Sequence, residues 1–294
     1  MSGAAVGFVG LGNIGAPMAR RLLDWPGGLV VYDVAEAATE PFVSRGATRA
    51  ANPADLAGRT DVICVVVRDE AQVHDVLFGP AGIASGLARS APSDADRRVS
   101  VVIHSTISAE GAGRFAERGG DCGIDVIDAP ISGGAMGAAD GTLAVMAGGD
   151  TAVVERCRGV LERLGSLVVH TGEVGSGTRM KIARNLITFA SFAAGGEALR
   201  LAAAAGLDVA KLGEVVRHSD AVTGGAGAVL IRGDAATMAA DDGLRPIFEH
   251  SAGLGLKDLE LATELGTALG VDTPFAALSR RWLRPALGLD DPPT

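Results

Sequence analysis

"VGFVGLGNIGAPMARRLL", residues 6–23, decides how the rest of the chain is read. A short β-branched run leads into Gly10, Gly12 and Gly15, spaced G-x-G-x-x-G, and a helical pattern follows. Each glycine has a mechanical reason in a strand–turn–helix. Gly10 permits the tight turn, Gly12 lets backbone approach a pyrophosphate, and Gly15 lets the helix pack close to the strand. Asn13 and Ile14 complete the turn, and the helix N-terminus directs N–H groups at the anion. An ordinary glycine-rich turn is the alternative; the strand before and the helix after favour a phosphate site. The next strand pattern, "LVVYD" (29–33), ends in Asp33. A carboxylate there accepts hydrogen bonds from ribose hydroxyls and repels a 2′-phosphate. Val34 and Ala35 follow, not arginine, so NAD is favoured and NADP is left open. Asp33 can equally cap the following helix, or do both.

Outward from this unit, apolar runs alternate with helical stretches. Residues 5–10, 29–33, 62–67, 99–104, 125–129, 143–148 and 167–171 read as strands. They are short, β-branched and mostly continuous, as strands covered on both faces are. Residues 13–24, 70–77, 108–118 and 151–164 read as helices between them. Strand–helix alternation implies parallel pairing with right-handed crossovers. The expectation is an α/β, Rossmann-type doubly wound parallel sheet over about residues 1–170. Beyond residue 176 strand signal vanishes. One helix is expected from about 177 to 205, roughly 40 Å long, closed by Gly206 as C-cap. "VAKLGEVVRH", "GAVLIRG", "LKDLELATELGTALG" and "PFAALSRRWLRPALG" extend an all-α region. The domains are therefore set at 1–165 and 166–294, joined by the long helix, with "DDPPT" read as a frayed tail.

Composition narrows the function. The 294 residues are 48% hydrophobic and carry a net charge of −9. That balance disfavours nucleic acid and anionic membrane as partners, since both require a basic face. Three cysteines without a CxxC pair suit a reducing compartment. The five histidines are scattered, so no metal site is expected. The strand pattern begins within a few residues of Met1, and no apolar run reaches the ~18–20 residues that span a bilayer. A cytoplasmic protein is expected, with no membrane partner. The long Ala/Gly-rich helix needs more cover than one small domain gives, which points to a homodimer or homotetramer.

The chain has 23 arginines but only three lysines, Lys181, Lys211 and Lys257. Where charge alone is needed it uses arginine. Lys181, between Arg179 and Arg184, therefore suggests chemistry that a guanidinium cannot do: an ammonium can be desolvated and give up its proton. Lys181 and Asn185 share one helix face, after the glycine-rich entry "EVGSGTR", which lets a ligand or a second backbone come close. A solvated polar pair is the competing reading. "DAPISGGAMGAADGTLAVMAGGD" (128–150) adds Ser132, Gly133 and Gly134 after a strand and a proline. Successive glycines with a hydroxyl can form a nest of N–H donors for a carboxylate, or an ordinary loop.

Together these segments resemble the β-hydroxyacid dehydrogenase family, typified by 3-hydroxyisobutyrate dehydrogenase. The likeness runs nearly end to end, through "GFVGLGNIGAPMARRL", "STIS", "DAPISGG" with "GTLAVMAGGD", "GSGTRMKIARN" and "KDLELA", in the family's order. It implies a Rossmann domain and a helical domain of the 6-phosphogluconate dehydrogenase type, with the active site between them. By resemblance, Lys181 is the catalytic lysine and Asn185 a substrate contact. Ser132, Gly133 and Gly134 take the substrate carboxylate, Thr106 lies beside the nicotinamide, and Lys257 approaches the cofactor. Val67 and Arg68 stand where the family often has Leu-Pro after the fourth strand. Ile103-His104 stands where Asp-Ser is common, and Asn13-Ile14 where Asn-Met is. By the same resemblance Val67 and Arg68 count among the cofactor-binding positions, although Arg68, like His104, can equally be an incidental surface residue.

The reaction implied is hydride transfer between a nicotinamide and a small β-hydroxy acid or semialdehyde. Two rivals stand beside it. An NADP-dependent imine reductase shares the fold, but such relatives usually lack the lysine. A non-catalytic NAD-binding protein would tend to lose the Lys181–Asn185 pair.

Overall fold

The computed structural model describes residues 4–88, 97–232 and 234–290. The last residues of the tail read as frayed, 291–294, lie outside these. The chain divides into two compact units, Met1–Ala183 and Arg184–Thr294.

The first unit is built on strands β1 (Val6–Val9), β2 (Leu29–Tyr32), β3 (Thr48–Arg49), β4 (Val62–Val65), β5 (Val99–Ile103) and β6 (Ile124–Asp128). They lie in the order β3-β2-β1-β4-β5-β6, all parallel. This is the doubly wound order that the alternating pattern requires. β1, β4 and β5 are buried at every residue. Successive side chains point to opposite faces. Phe8, Cys64 and Val102 enter one apolar layer with Met18, Leu22 and Leu161. Val9, Ile63 and Val65 enter the other with Leu56, Leu77 and Ile83.

Helices flank this sheet: α1 (Gly15–Arg20), α2 (Glu40–Val43), α3 (Pro53–Ala57), α4 (Glu70–Phe78), α5 (Ile83–Leu87) and α6 (Ala109–Gly120). Asn52, Asp69 and Ser108 accept backbone N–H bonds at the starts of α3, α4 and α6. Each such cap is worth about 1 kcal/mol.

The sheet then departs from the all-parallel expectation. β6 continues after Pro130 into β7 (Ile131–Ser132), and α7 (Gly134–Asp140) returns the chain as β8 (Ala144–Gly148). β8 runs antiparallel to both β6 and β7. The connection from Gly133 to Leu143 is too short to carry a full parallel crossover, which takes a dozen or more residues. A longer crossover through α8 (Thr151–Leu164) restores parallel pairing with β9 (Leu167–Gly172). Among the described residues the sheet thus has nine strands rather than seven. The two missed strands, β3 and β7, have two residues each, too few for a periodicity. A division at residue 165 would cut β9 from the strand it pairs with; the compact units part at Ala183/Arg184.

α9 (Ser176–Ala204) is the long helix expected. Gly206, at φ +75°, ends it. Its N–H donates to the Ala203 carbonyl and that of Leu207 to Ala202, the paired bonds of a left-handed helix stop. In the second unit follow α10 (Val209–Thr223), a 3₁₀ turn Gly225–Ile231, α11 (Arg245–Leu269) and α12 (Pro274–Ala286). α11 and α12 pack together over Met238, Phe248, Ala252, Leu287 and Leu289. Buried Glu197 of α9 accepts the N–H groups of Phe275 and Ala276, both at 2.9 Å, capping α12. α9 is also long and apolar enough to cross a membrane, by length and composition. Ser191, Glu197 and Arg200 interrupt its apolar run, so the sequence pattern predicts no spanning segment there.

Candidate active site

The glycine-rich turn is shaped partly by packing and partly by open space. Gly10 has φ +93°, and a side chain there would collide with the Val66 carbonyl. At Gly15 a side chain would strike the Gly10 carbonyl. Gly12 is different: nothing lies within 4 Å of where its Cβ would be, and the residue is exposed. Protein packing does not demand glycine there. A ligand brought against the backbone would, which is the fit expected of a pyrophosphate.

Asp33 ties this turn to the end of β2. One carboxylate oxygen accepts the Leu11 N–H at 2.6 Å, the other the Ala35 N–H at 2.8 Å. It therefore both fixes the turn and bonds the entry to the next segment. Each oxygen retains a second lone pair. Beside it lies a cleft of about 670 Å³ lined by Gly10, Gly12, Tyr32, Asp33, Val67 and Arg68, among others. That volume is in the range of small-molecule sites. Asn13, Ile14 and Gly15 belong to the turn without lining the cleft.

The strand ends beyond the cleft are joined by a serine that carries no sequence signal of that role. Ser105 Oγ accepts the Val67 N–H at 2.9 Å and donates to the Val67 carbonyl at 2.7 Å. Thr106 follows it, exposed. Arg68 is exposed, as expected, with Asp69 at 3.5 Å. His104 is not a surface residue: only 3% of it is accessible. Its Nδ1 donates to the Ala129 carbonyl at 2.7 Å. Nε2 has no hydrogen-bond partner among the described residues. Burial pushes the imidazole down to about 4 and keeps it neutral. Four apolar residues before it, Val99 to Ile103 broken only by Ser100, gave no signal that the sheet interior extends one position further.

On the other side of β6, Ser132 is half-buried, and Gly133 and Gly134 take φ +132° and +65°. The backbone there turns sharply into α7, as an N–H nest requires. Asp128, at the end of β6, is wholly buried. Its two oxygens accept the Gly175 and Thr178 N–H groups, both at 2.7 Å, at the entry to α9. Burial holds its carboxyl above the ordinary range, and the two N–H bonds oppose that shift. The glycine-rich entry "EVGSGT" is thus a place where a second backbone comes close. A side chain at Gly177 would strike the Met146 carbonyl and lie 2.7 Å from that of Asp128. Three residues after Thr178 comes Lys181, half-buried, and one turn on Asn185, also half-buried. Asn185 and Lys257 belong to the second compact unit. Lys257 is exposed on α11, with Asp258 at 3.1 Å.

A phosphate-ready turn, a ribose-ready carboxylate and a cleft at the parallel strand ends define a dinucleotide-binding fold. Comparison with known proteins makes the class more specific. Residues 5–172 match the NAD-binding domain of 6-phosphogluconate dehydrogenase, and residues 175–289 the NAD-binding domain of NADP-dependent 3-hydroxyisobutyrate dehydrogenase. The chain belongs to the β-hydroxyacid dehydrogenase family of NAD(P)-binding oxidoreductases. It is 50% identical to an uncharacterized oxidoreductase of Mycobacterium tuberculosis over 98% of this chain and 95% of that one. It is 34% identical to the 2-hydroxy-3-oxopropionate reductase of Escherichia coli, over 92% and 87%. An oxidoreductase from Mycobacterium avium, of known structure, shares 45% identity over 97% and 98%, with a TM-score of 0.87.

Proposed function

We propose that this protein is an NAD-preferring dehydrogenase of small β-hydroxy acids, or the reductase of the matching semialdehydes. The observation that carries the reading is Lys181: one of three lysines, half-buried, on a helix whose entry is held by the strand end that leads into the Ser132 loop. A bound nicotinamide supplies the ring carbon that exchanges hydride with substrate. Lys181 accepts the hydroxyl proton in oxidation and returns it to the developing alkoxide in reduction. Asn185, one turn along the same face, orients the substrate oxygen. Ser132, Gly133 and Gly134 hold its carboxylate, turning collision into oriented approach. The turn Gly10–Gly15, with Asn13 and Ile14, holds the pyrophosphate. Asp33 takes the ribose and disfavours NADP. Val67, Arg68, Thr106 and Lys257 complete the cofactor contacts.

Nicotinamide absorbance tests this with 3-hydroxyisobutyrate, 3-hydroxypropionate, glycerate and succinic semialdehyde, each with NAD and NADP. Lys181→Ala and Lys181→Arg are expected to lose at least ~10²-fold in kcat, with NAD binding unchanged. An active arginine variant removes the proton-transfer role. Turnover of imines with NADPH, and of no β-hydroxy acid, overturns the substrate class.

We propose further that the partner is a second copy of this chain. Among the described residues, nineteen of twenty-five exposed large hydrophobic side chains lie in Arg184–Thr294, and α10 has no buried residue. Leu186, Phe189, Phe192 and Leu199 line α9; Ile247, Leu254 and Leu261 repeat every seven residues along α11. At 49–71% exposure these seven side chains leave on the order of 800 Å² open, about what each partner contributes to a standard interface. A lipid surface is the poorer occupant: Glu197 binds α12 from the middle of α9, and a net charge of −9 repels anionic headgroups. The proposed assembly is a homo-oligomer in the cytoplasm. Sedimentation of the wild type and of Leu261→Glu checks it: an assembly that the charge dissociates supports the interface, and a monomeric wild type overturns it.

A further inference from the structure

We infer that the dipeptide Asp128–Ala129 is a positioning junction that sets the Lys181 helix, the Ser132 loop and the strand end before Thr106 as one unit. The inference rests on the role proposed for Lys181, and it concerns residues to which that reading gives no part. The Asp128 carboxylate has 0% exposure, and each oxygen takes one N–H of the α9 entry. Lys181 lies three residues beyond Thr178, about 4.5 Å along the helix axis. The helix start cannot drift, because Gly177 presses its backbone on the carbonyls of Met146 and Asp128. Ser176 Oγ is also held, at 2.7 Å from Thr171 Oγ1.

The next residue faces the other way. Ala129 donates its N–H to the Ile103 carbonyl at 2.8 Å and accepts the His104 Nδ1–H at 2.7 Å. His104 is two residues from Thr106. The residue between, Ser105, is bonded to Val67 in the cofactor cleft. From Ala129 the chain passes through Pro130 directly to Ser132. One dipeptide thus links the proposed proton donor, the proposed carboxylate loop and the cofactor side of the cleft.

Two features give this linkage its chemistry. A buried carboxylate is tolerated only when hydrogen-bonded, and Asp128 spends both oxygens on α9. Asparagine would offer one acceptor and turn an N–H₂ toward an N–H. Asp128 touches neither cofactor nor substrate in this account; it acts through the helix.

The three lysines make a test that separates positioning from general damage. Reductive ¹³C-methylation of the full-length protein yields three lysine signals by NMR, and Lys181→Arg assigns that of Lys181. In Asp128→Asn the Lys181 signal and its titration midpoint are expected to move while those of Lys211 and Lys257 stay. The unmethylated variant is expected to lose ~10- to 10²-fold in kcat, with the KM for NAD unchanged. If Asp128→Asn does not fold, Asp128→Glu keeps both acceptors and shifts them by one methylene, with the same readout. His104→Asn, which keeps an N–H donor, is expected to retain activity that His104→Leu loses. An unmoved Lys181 signal in a folded Asp128 variant overturns the junction, as does movement of all three signals together. An active Lys181→Arg enzyme instead removes the proton-transfer role and leaves the NMR result standing.

Discussion

In the α/β unit, β1, β4 and β5 are buried at every residue and both faces of the sheet meet their own apolar layer. In the helical unit, the apolar cluster of Met238, Phe248, Ala252, Leu287 and Leu289 is built by α11, α12 and the segments flanking them, and α10 buries no residue. The same 294-residue chain therefore contains one region that finishes its core and one that leaves most of its apolar surface outside. Chain economy explains the difference. A sheet interleaved with helices covers both its faces from nearby sequence. A helix longer than 25 residues, such as α9, presents more apolar flank than three further helices can cover. In the homo-oligomer proposed above, association would supply part of the stability of the second region.

The largest effects should separate the regions most sharply. Phe8, 0% exposed in the α/β layer, should cost ~3–5 kcal/mol when changed to alanine, at any protein concentration. Phe189→Ala, 62% exposed on α9, should instead shift melting in a concentration-dependent way. A concentration-independent loss there would erase the contrast.

Next in size is a pH effect confined to the α/β unit. His104 is held neutral when folded, at about 4, against ~6.5 when unfolded. Between those values the unfolded chain binds a proton that the folded chain does not, so stability rises with pH. About 3 kcal/mol should be lost on acidification from pH 6.5 to 4, through the desolvation that depresses this group. Urea titration of His104→Asn across that window should show a flatter slope than the wild type. Equal slopes would mean that the imidazole is accessible.

The smallest effect probes the joint after α9. Gly206→Ala forces φ +75° on a residue with a Cβ, at ~1–2 kcal/mol. Thermal melts should register it, and cofactor affinity should not. A change in NAD affinity would mean that the helical region is coupled to the cleft more tightly than its sparse core suggests.

Much of the site was legible because its residues are local in sequence. Gly10, Gly12 and Asp33 reach one cleft through a single βαβ unit, so the spacing of the motif carries the geometry. Lys181 and Asn185 share a face by helical period alone. Asp128 shows no role in the sequence, because its partners, Gly175 and Thr178, lie some fifty residues on. By sequence His104 reads as a surface residue, because a polar side chain after a strand ordinarily reaches water; its acceptor, the Ala129 carbonyl, comes from a neighbouring strand end.

The sequence alone determined the alternation of strand and helix, the phosphate turn, the long helix and its glycine stop. These follow from local steric preference and from periods of two and 3.6 residues. Tertiary structure alone decided the reversal of β8, the pairing of the two-residue strands, the burial of His104 and the seat of the α9 entry on Asp128. Each needs a hydrogen-bond partner distant in the chain. A buried polar group is tolerated only where such a partner arrives, and no local pattern records its arrival.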